Sequence, residues 1–236
     1  MSIYSLPPLD PRLALIASLV RPGSVCADIG TDHGYLPVYL VKSGRCPRAL
    51  ACDINPQPLE KAHILIASSG LAEQVDTLLT DGLRGLEEKA PDSIVLAGMG
   101  GELIASILEE APFVRSSHIQ LLLQPMTRPE HLRGWLARQG FAILEEHGVL
   151  SGGRLYSVIH AGYTGHPQEP SPLYCHTGAL PQSGRPHSID YMRKTLSTLR
   201  QQIAGLEQAK KQDCTQRLSQ LKALAQEIES LLEEQP

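Results

Sequence analysis

No apolar run in the 236 residues approaches the ~20 that a transmembrane helix requires. The first residues, Met1-Ser2-Ile3-Tyr4-Ser5-Leu6, carry no basic region followed by an apolar stretch, so no signal peptide is expected and the default compartment is the cytoplasm. There is no C-x-x-C pair among five cysteines, and no H-E-x-x-H among nine histidines. That argues against a zinc site or a disulfide framework, and no metal is expected. Cys26 and Cys52 fall in apolar runs, where cysteine behaves as a small hydrophobe. Large excess charge is also missing, at a formal −4 overall. Its placement is uneven: residues 185–222 sum to +5, the acidic tail to −4 and the body 1–184 to −5. A local basic segment keeps nucleic acid open as a partner, although most such runs are solvated helix faces.

What is present is an ordinary core composition, 42% hydrophobic, in a length that suits one α/β domain with an appendage. Asp10-Pro11 reads as a capped helix start followed by Leu13, Ile16, Ala17 and Val20 on one face. Strands are expected at Val25 to Ile29, Arg48 to Cys52, Val75 to Thr80, Ser93 to Ala97 and Ile119 to Leu123. Helices are expected at Tyr35 to Ser43, Pro56 to Ser69, Glu102 to Glu110 and, capped by Thr127, up to Gln139. Two further strands, Ala142 to Val149 and Arg154 to Ala161, are split only by Gly152-Gly153. Alternation with strands too apolar for a wet face implies a Rossmann-like, mostly parallel seven-stranded sheet closed by an antiparallel hairpin. This domain is expected over residues 1–161.

Residues 162–187 are rich in Gly, Pro, Ser and His without periodicity, and read as a linker or long ordered loop. From 188 the apolar spacing becomes heptad-like: Ile189, Met192, Leu196, Leu199, Ile203 and Leu206, then Cys214, Leu218, Leu221, Ala225, Ile228 and Leu232. The phase breaks across Lys210-Lys211-Gln212-Asp213. An antiparallel coiled-coil hairpin over 188–236, within a monomer, is favoured over one long helix joining two subunits, because one chain can then satisfy both of its own seams.

In a parallel sheet ligands bind beyond the carboxyl ends of the strands. At those ends stand Asp28 to Gly34, Asp53, Asp81-Gly82, Gly98 to Gly101 and Gln124-Pro125. Any one of these glycines could simply turn a corner, but three acids together exceed what a fold needs. The first loop, D-I-G-T-D-H-G, places Asp32 where a pyrophosphate-binding G-x-G-x-x-G would have its second glycine. A carboxylate there repels phosphate and favours a cationic cofactor such as S-adenosylmethionine, which carries an ammonium and a sulfonium. Asp53 suits ribose hydroxyls, and Asp81 suits the adenine amino group.

The segments D-I-G-T-D-H-G-Y-L-P at 28–37, A-C-D-I-N at 51–55, D-G-L at 81–83, A-G-M-G-G at 97–101 and L-Q-P-M at 123–126 resemble the bacterial tRNA (adenine-22-N1)-methyltransferases. L-D-P-R-L at 9–13 and G-G-R-L-Y at 152–156 are similar too, so the resemblance covers about residues 9–161. It implies S-adenosylmethionine as cofactor and N1 of a tRNA adenine as methyl acceptor. By position it implies Asp28, Gly30, Thr31, Asp32, His33 and Gly34 around the methionine part of the cofactor. Asp53 and Ile54 would lie at the ribose, Asp81 and Gly82 at adenine, and Gly98, Met99 and Gly100 on the floor near the methyl group. Asp32, then His33, are the candidates to stabilise the cationic product. The absence of D-P-P-Y or N-P-P-Y after the fourth strand fits a ring-nitrogen target rather than an exocyclic amine. Arg193, Lys194, Arg200, Lys210 and Lys211 are the candidate phosphate contacts. Two other readings compete: a methyltransferase for a small molecule or protein whose hairpin dimerises, and a non-catalytic RNA-binding or assembly module that keeps the cofactor fold.

Overall fold

The computed structural model describes residues 7–208 and 215–234. It opens with helix α1 (Pro11–Leu19), whose cap is Asp10: its Oδ1 accepts from the backbone N–H of Arg12 at 2.8 Å and of Leu13 at 3.1 Å. Then alternate β1 (Val25–Ile29), α2 (Tyr35–Lys42), β2 (Arg48–Asp53), α3 (Pro56–Ser68), β3 (Val75–Leu79), β4 (Ser93–Gly100), α4 (Gly101–Glu109), β5 (Gln120–Thr127) and α5 (Pro129–Arg138). The hairpin β6 (Phe141–Ser151) and β7 (Arg154–Tyr163) completes a seven-stranded sheet in the order β3-β2-β1-β4-β5-β7-β6. The first five strands pair in parallel, and β7 lies antiparallel to both β5 and β6. The expected Rossmann-like architecture is therefore present.

The central strands β1, β2, β4 and β5 bury both faces. Cys26, Ala49, Ala51, Val95 and Leu122 enter one core with α1, α2 and α3. Ala27, Leu50, Ile94, Leu96, Leu121 and Leu123 enter the other with α4 and α5. Period-2 alternation with apolar residues on both sides is what a doubly covered sheet requires.

The strand-to-helix junction after β5 differs from expectation. Thr127 does not cap α5. It belongs to β5, paired with Gly100 of an equally prolonged β4, and Arg128 takes the cap position in the left-handed region at φ 54°. The prolongation needs irregular pairing between Ala97 and Gly100. It also needs Gly101 bare, because a side chain there would strike the Arg128 carbonyl.

Residues 162–187 are not featureless. They carry α6 (Pro172–Thr177), capped by Ser171 Oγ accepting from Tyr174 N at 3.1 Å, and a single 3-10 turn at Leu180–Gln182. Two long helices follow, α7 (Pro186–Gln208) and α8 (Thr215–Glu233). They run antiparallel, since Arg200 meets Glu229 at 2.6 Å while Glu207 meets Lys222 at 2.7 Å. Leu196, Leu199, Leu224, Ala225 and Ile228 are buried between them. The first seam is shared: Tyr191 and Met192 instead pack with Leu155 and Leu180 of the sheet domain and its connection. The polar break at Lys210 to Asp213, and Cys214, lie outside the described residues.

Ile228 is fully buried in this helix pair. Ile228→Ala is expected to cost about 2–5 kcal/mol in urea unfolding, the range for a large-to-small change in a core.

Candidate active site

Strand order reverses between β1 and β4, and the loops leaving these two strands face each other there. After β1 the chain must turn sharply into α2, and Gly30, His33 and Gly34 all take positive φ, 73°, 61° and 71°. The loop is tied to the neighbouring strand by the N–H groups of Gly30 and Thr31, which both donate to the Cys52 carbonyl at 2.9 and 2.8 Å. Gly34 has no room for a side chain against Ala62 of α3, and the Met99 methyl occupies the space that a Cβ on Gly30 would need. The positive φ explains Gly30, and the positive φ together with the Ala62 contact explains Gly34.

The loop gathers acids. Asp28 is buried and accepts from Thr31 Oγ1 at 2.7 Å. Burial pushes its carboxyl up to about 6; the Thr31 hydroxyl opposes the shift, and the neighbouring Asp53 and Asp32 charges reinforce it. Asp53, at the end of β2, is nearly buried and accepts from Asn55 N at 2.8 Å. Asp32 is 86% exposed and lies 3.1 Å from His33 Nε2, whose ring stacks on Tyr35. Three carboxylates held this way disfavour an anion and are relieved by a cation.

A cavity of about 510 Å³ opens at this point, lined by Asp28, Gly30, Asp32, Tyr35, Gly98 and Met126 together with Asp10 and Arg12. Gly98, at φ 79°, donates its N–H to Gln124 Oε1 at 3.2 Å. The same oxygen accepts from Arg12 Nη1 at 2.9 Å, and Arg12 Nη2 meets Asp10 Oδ2 at 2.8 Å. Arg12 also lies over the Tyr156 ring, 5.3 Å from its centre. Arg12 is thus a member of the site that sequence reasoning did not single out. Its partner is 112 residues away, and locally Asp10 reads only as a helix cap.

Asp81 and Gly82 do not line this cavity. They line a smaller hollow of about 80 Å³ with Leu83, Leu103 and Ile107. Asp81 Oδ2 there lies 3.6 Å from Arg84. Ile54, beyond β2, is largely exposed. Gly100 begins α4 as its cap residue and sits close to Thr127 Oγ1. Among the candidate phosphate contacts, Lys194 Nζ donates to the Leu155 carbonyl at 2.9 Å, Arg193 meets Asp190 at 3.3 Å and Arg200 is engaged by Glu229. Lys210 and Lys211 lie outside the described residues. Among the described residues, no group of three or more His, Cys, Asp or Glu side chains could hold a metal ion.

A family model described as a methyltransferase domain matches residues 9–159. The chain belongs to that methyltransferase family. A relative from Bacillus subtilis, a tRNA (adenine(22)-N(1))-methyltransferase, is 36% identical over 153 residues, 65% of this chain and 64% of the relative. The chain thus matches just under two thirds of that relative's length. Among solved structures, the B. subtilis M1A22 tRNA methyltransferase TrmK superposes with a TM-score of 0.79 at 29% identity, over 97% of this chain and 98% of that one. TrmK of M. capricolum, in complex with S-adenosyl-homocysteine, gives 0.77 at 25% identity over 95% and 98%. The structural likeness extends through the C-terminal helices, whereas the sequence match to the Bacillus relative spans only 65% of the chain.

For the methyltransferase domain the raised Asp28 pKa has a thermodynamic consequence. The folded state holds this proton more tightly than the unfolded chain, whose value is near 3.8, so the stabilising contribution is complete below pH 4 and lost as pH rises through about 6. Asp28→Asn should therefore gain on the wild type between pH 4 and 7, by about 3 kcal/mol at most. Thermal unfolding of both proteins across that range checks this; parallel profiles would contradict it.

Proposed function

We propose that this chain transfers the methyl group of S-adenosylmethionine to N1 of adenine 22 in tRNA. The observation that carries the cofactor half is the acid-lined cavity at the β1 and β4 ends. Asp28 and Asp32 line it and Asp53 stands beside it, outside the lining, and these acids suit a ligand bearing an ammonium and a sulfonium rather than a pyrophosphate. Bound there, the cofactor supplies an electrophilic methyl group. Thr31 holds Asp28 in place, Gly30, His33 and Gly34 shape the loop around the methionine part, and Asp53 and Ile54 serve the ribose. Asp81 and Gly82 serve adenine, their hollow walled by Leu103 and Ile107. Gly98, Met99 and Gly100 form the floor.

The substrate half rests on the relatives and on a second cavity. A groove of about 590 Å³ runs between α5 and the α7–α8 pair, lined by Arg128, Lys194, Arg217, Thr198 and Gln202 among others. Met126 lines both the groove and the cofactor cavity, so a nucleotide chain in the groove passes the reacting centre. We assign residues 1–161 to methyl transfer, 162–187 to connection and 188–236, with Arg193, Lys194 and Arg200, to tRNA contact. The paired seams of α7 and α8 support a monomer. No helix among the described residues is long and apolar enough to cross a membrane, and a tRNA substrate supports work in the cytoplasm.

N1 of adenine is a lone-pair nucleophile at neutral pH, so positioning supplies much of the rate. An adenine in a folded tRNA must be extruded to reach the cavity. Asp32 then stabilises the cationic product, with its neighbour His33 holding it at the cavity edge. Incubation with labelled S-adenosylmethionine and unmodified tRNA, followed by mapping, is expected to place the label on N1 of adenine 22. Label on another nucleotide or on none overturns the reading.

Arg217 tests the groove separately. Arg217→Ala is expected to raise KM for tRNA about threefold to tenfold and to lower the salt slope of binding by about 1, with cofactor affinity unchanged.

A further inference from the structure

Beneath the groove lies an ion pair that methyl transfer does not use. Arg133 of α5 and Glu146 of β6 are both 0% exposed and approach to 2.7 Å. Arg133 Nε donates to both oxygens of Glu146, each at 3.2 Å, and Nη2 donates to Oε1. Its Nη1 donates to the carbonyls of Cys175 and His176 at 2.9 and 3.0 Å. Glu146 Oε2 accepts in turn from the Ala179 N–H at 3.3 Å. Gly178, at φ 52°, has no room for a Cβ against Arg133 and Glu146. One guanidinium and one carboxylate therefore grip residues 175–179, the stretch that leads from α6 towards α7.

Stability alone does not explain such a pair, because two apolar residues of similar volume commonly hold a core as well. What a fork of fixed donors adds is a defined register between two parts of a chain. A second tie sits nearby. Ser188 Oγ accepts from Gly148 N at 2.8 Å and donates to Ser183 Oγ at 2.7 Å, and Gly148 lies bare against the His187 carbonyl. Both ties lie where the helical pair leaves the sheet domain. Lys194 of α7, Arg217 of α8 and Met126 all line the groove, so the seating of the helical pair on the sheet domain decides its width.

We propose that Arg133 and Glu146 are positioning residues for the RNA substrate: they latch the α7–α8 pair to the methyltransferase domain and so preform the groove. This rests on the tRNA reading above. Two variants test it. Arg133→Lys keeps the charge but loses the fork, and R133M/E146M replaces the pair with apolar side chains. In each, cofactor affinity is expected to stay within about twofold, because neither residue lines the acid-lined cavity. KM for tRNA should rise about tenfold or more while kcat changes far less, the signature of a misplaced substrate surface. Amide hydrogen exchange in α6 and the first turns of α7 should accelerate, with β1 to β5 unchanged. Variants that keep either KM for tRNA or α7 exchange at wild-type values overturn the latch. So does a loss of cofactor binding parallel to the loss of tRNA turnover, which marks a general folding role. The exchange measurement needs no tRNA: unchanged exchange refutes the latch even if wild-type protein methylates no tRNA, an outcome that refutes the functional reading instead.

Discussion

Burial of an acid beside two further carboxylates, at the ends of β1 and β2, is the constraint on which the rest of the site depends. Asp28 is buried, Asp53 nearly so, and Asp32 stands in the same loop; burial pushes the Asp28 carboxyl up to about 6, against the Thr31 hydroxyl and with a smaller contribution from the two neighbouring acids. A fold does not gather such groups cheaply. The sheet makes the gathering possible because parallel strands end together, so residues far apart in sequence arrive on one rim. The loop makes it specific, since two hydrogen bonds to Cys52 and three positive φ angles leave it little freedom. A ligand that brings an ammonium and a sulfonium to this rim offsets that cost.

The rim is completed by groups of a different kind. Arg12 is neutralised by Asp10 and held by Gln124, which also takes the Gly98 N–H. The N-terminal helix is thereby joined to the ends of β4 and β5, on the side of the cavity that faces Met126. Beyond Met126 the groove continues under the helical pair, and the buried Arg133–Glu146 pair grips the connection between the two. The acid-lined cavity and the groove share Met126 in their linings, and Arg133 lines the groove as well.

How much of this could be read from sequence depended on the range of each interaction. The β1 loop was legible because its glycines and acids are adjacent and their spacing excludes a pyrophosphate. Both cores were legible because two-faced burial leaves runs such as Val25 to Ile29 and Leu121 to Leu123. Thr127 was misread because Thr-x-Pro has the local chemistry of a helix cap, while its actual pairing is to Gly100 across the sheet. Helix α6 escaped because six residues are too short to show periodicity. Arg12 and the Arg133–Glu146 pair escaped for a common reason: a charged residue looks solvated until its partner, 112 or 13 residues away, is placed against it.

On the function proposed above, the acid cluster binds a cation. Calorimetry of S-adenosylmethionine binding at pH 6, in buffers of different ionisation enthalpy, tests it most directly. A cation beside Asp28 must favour its carboxylate, so binding should release up to roughly half a proton at that pH, and none in Asp28→Asn. Binding with no proton release, or with equal release in the variant, would contradict the account.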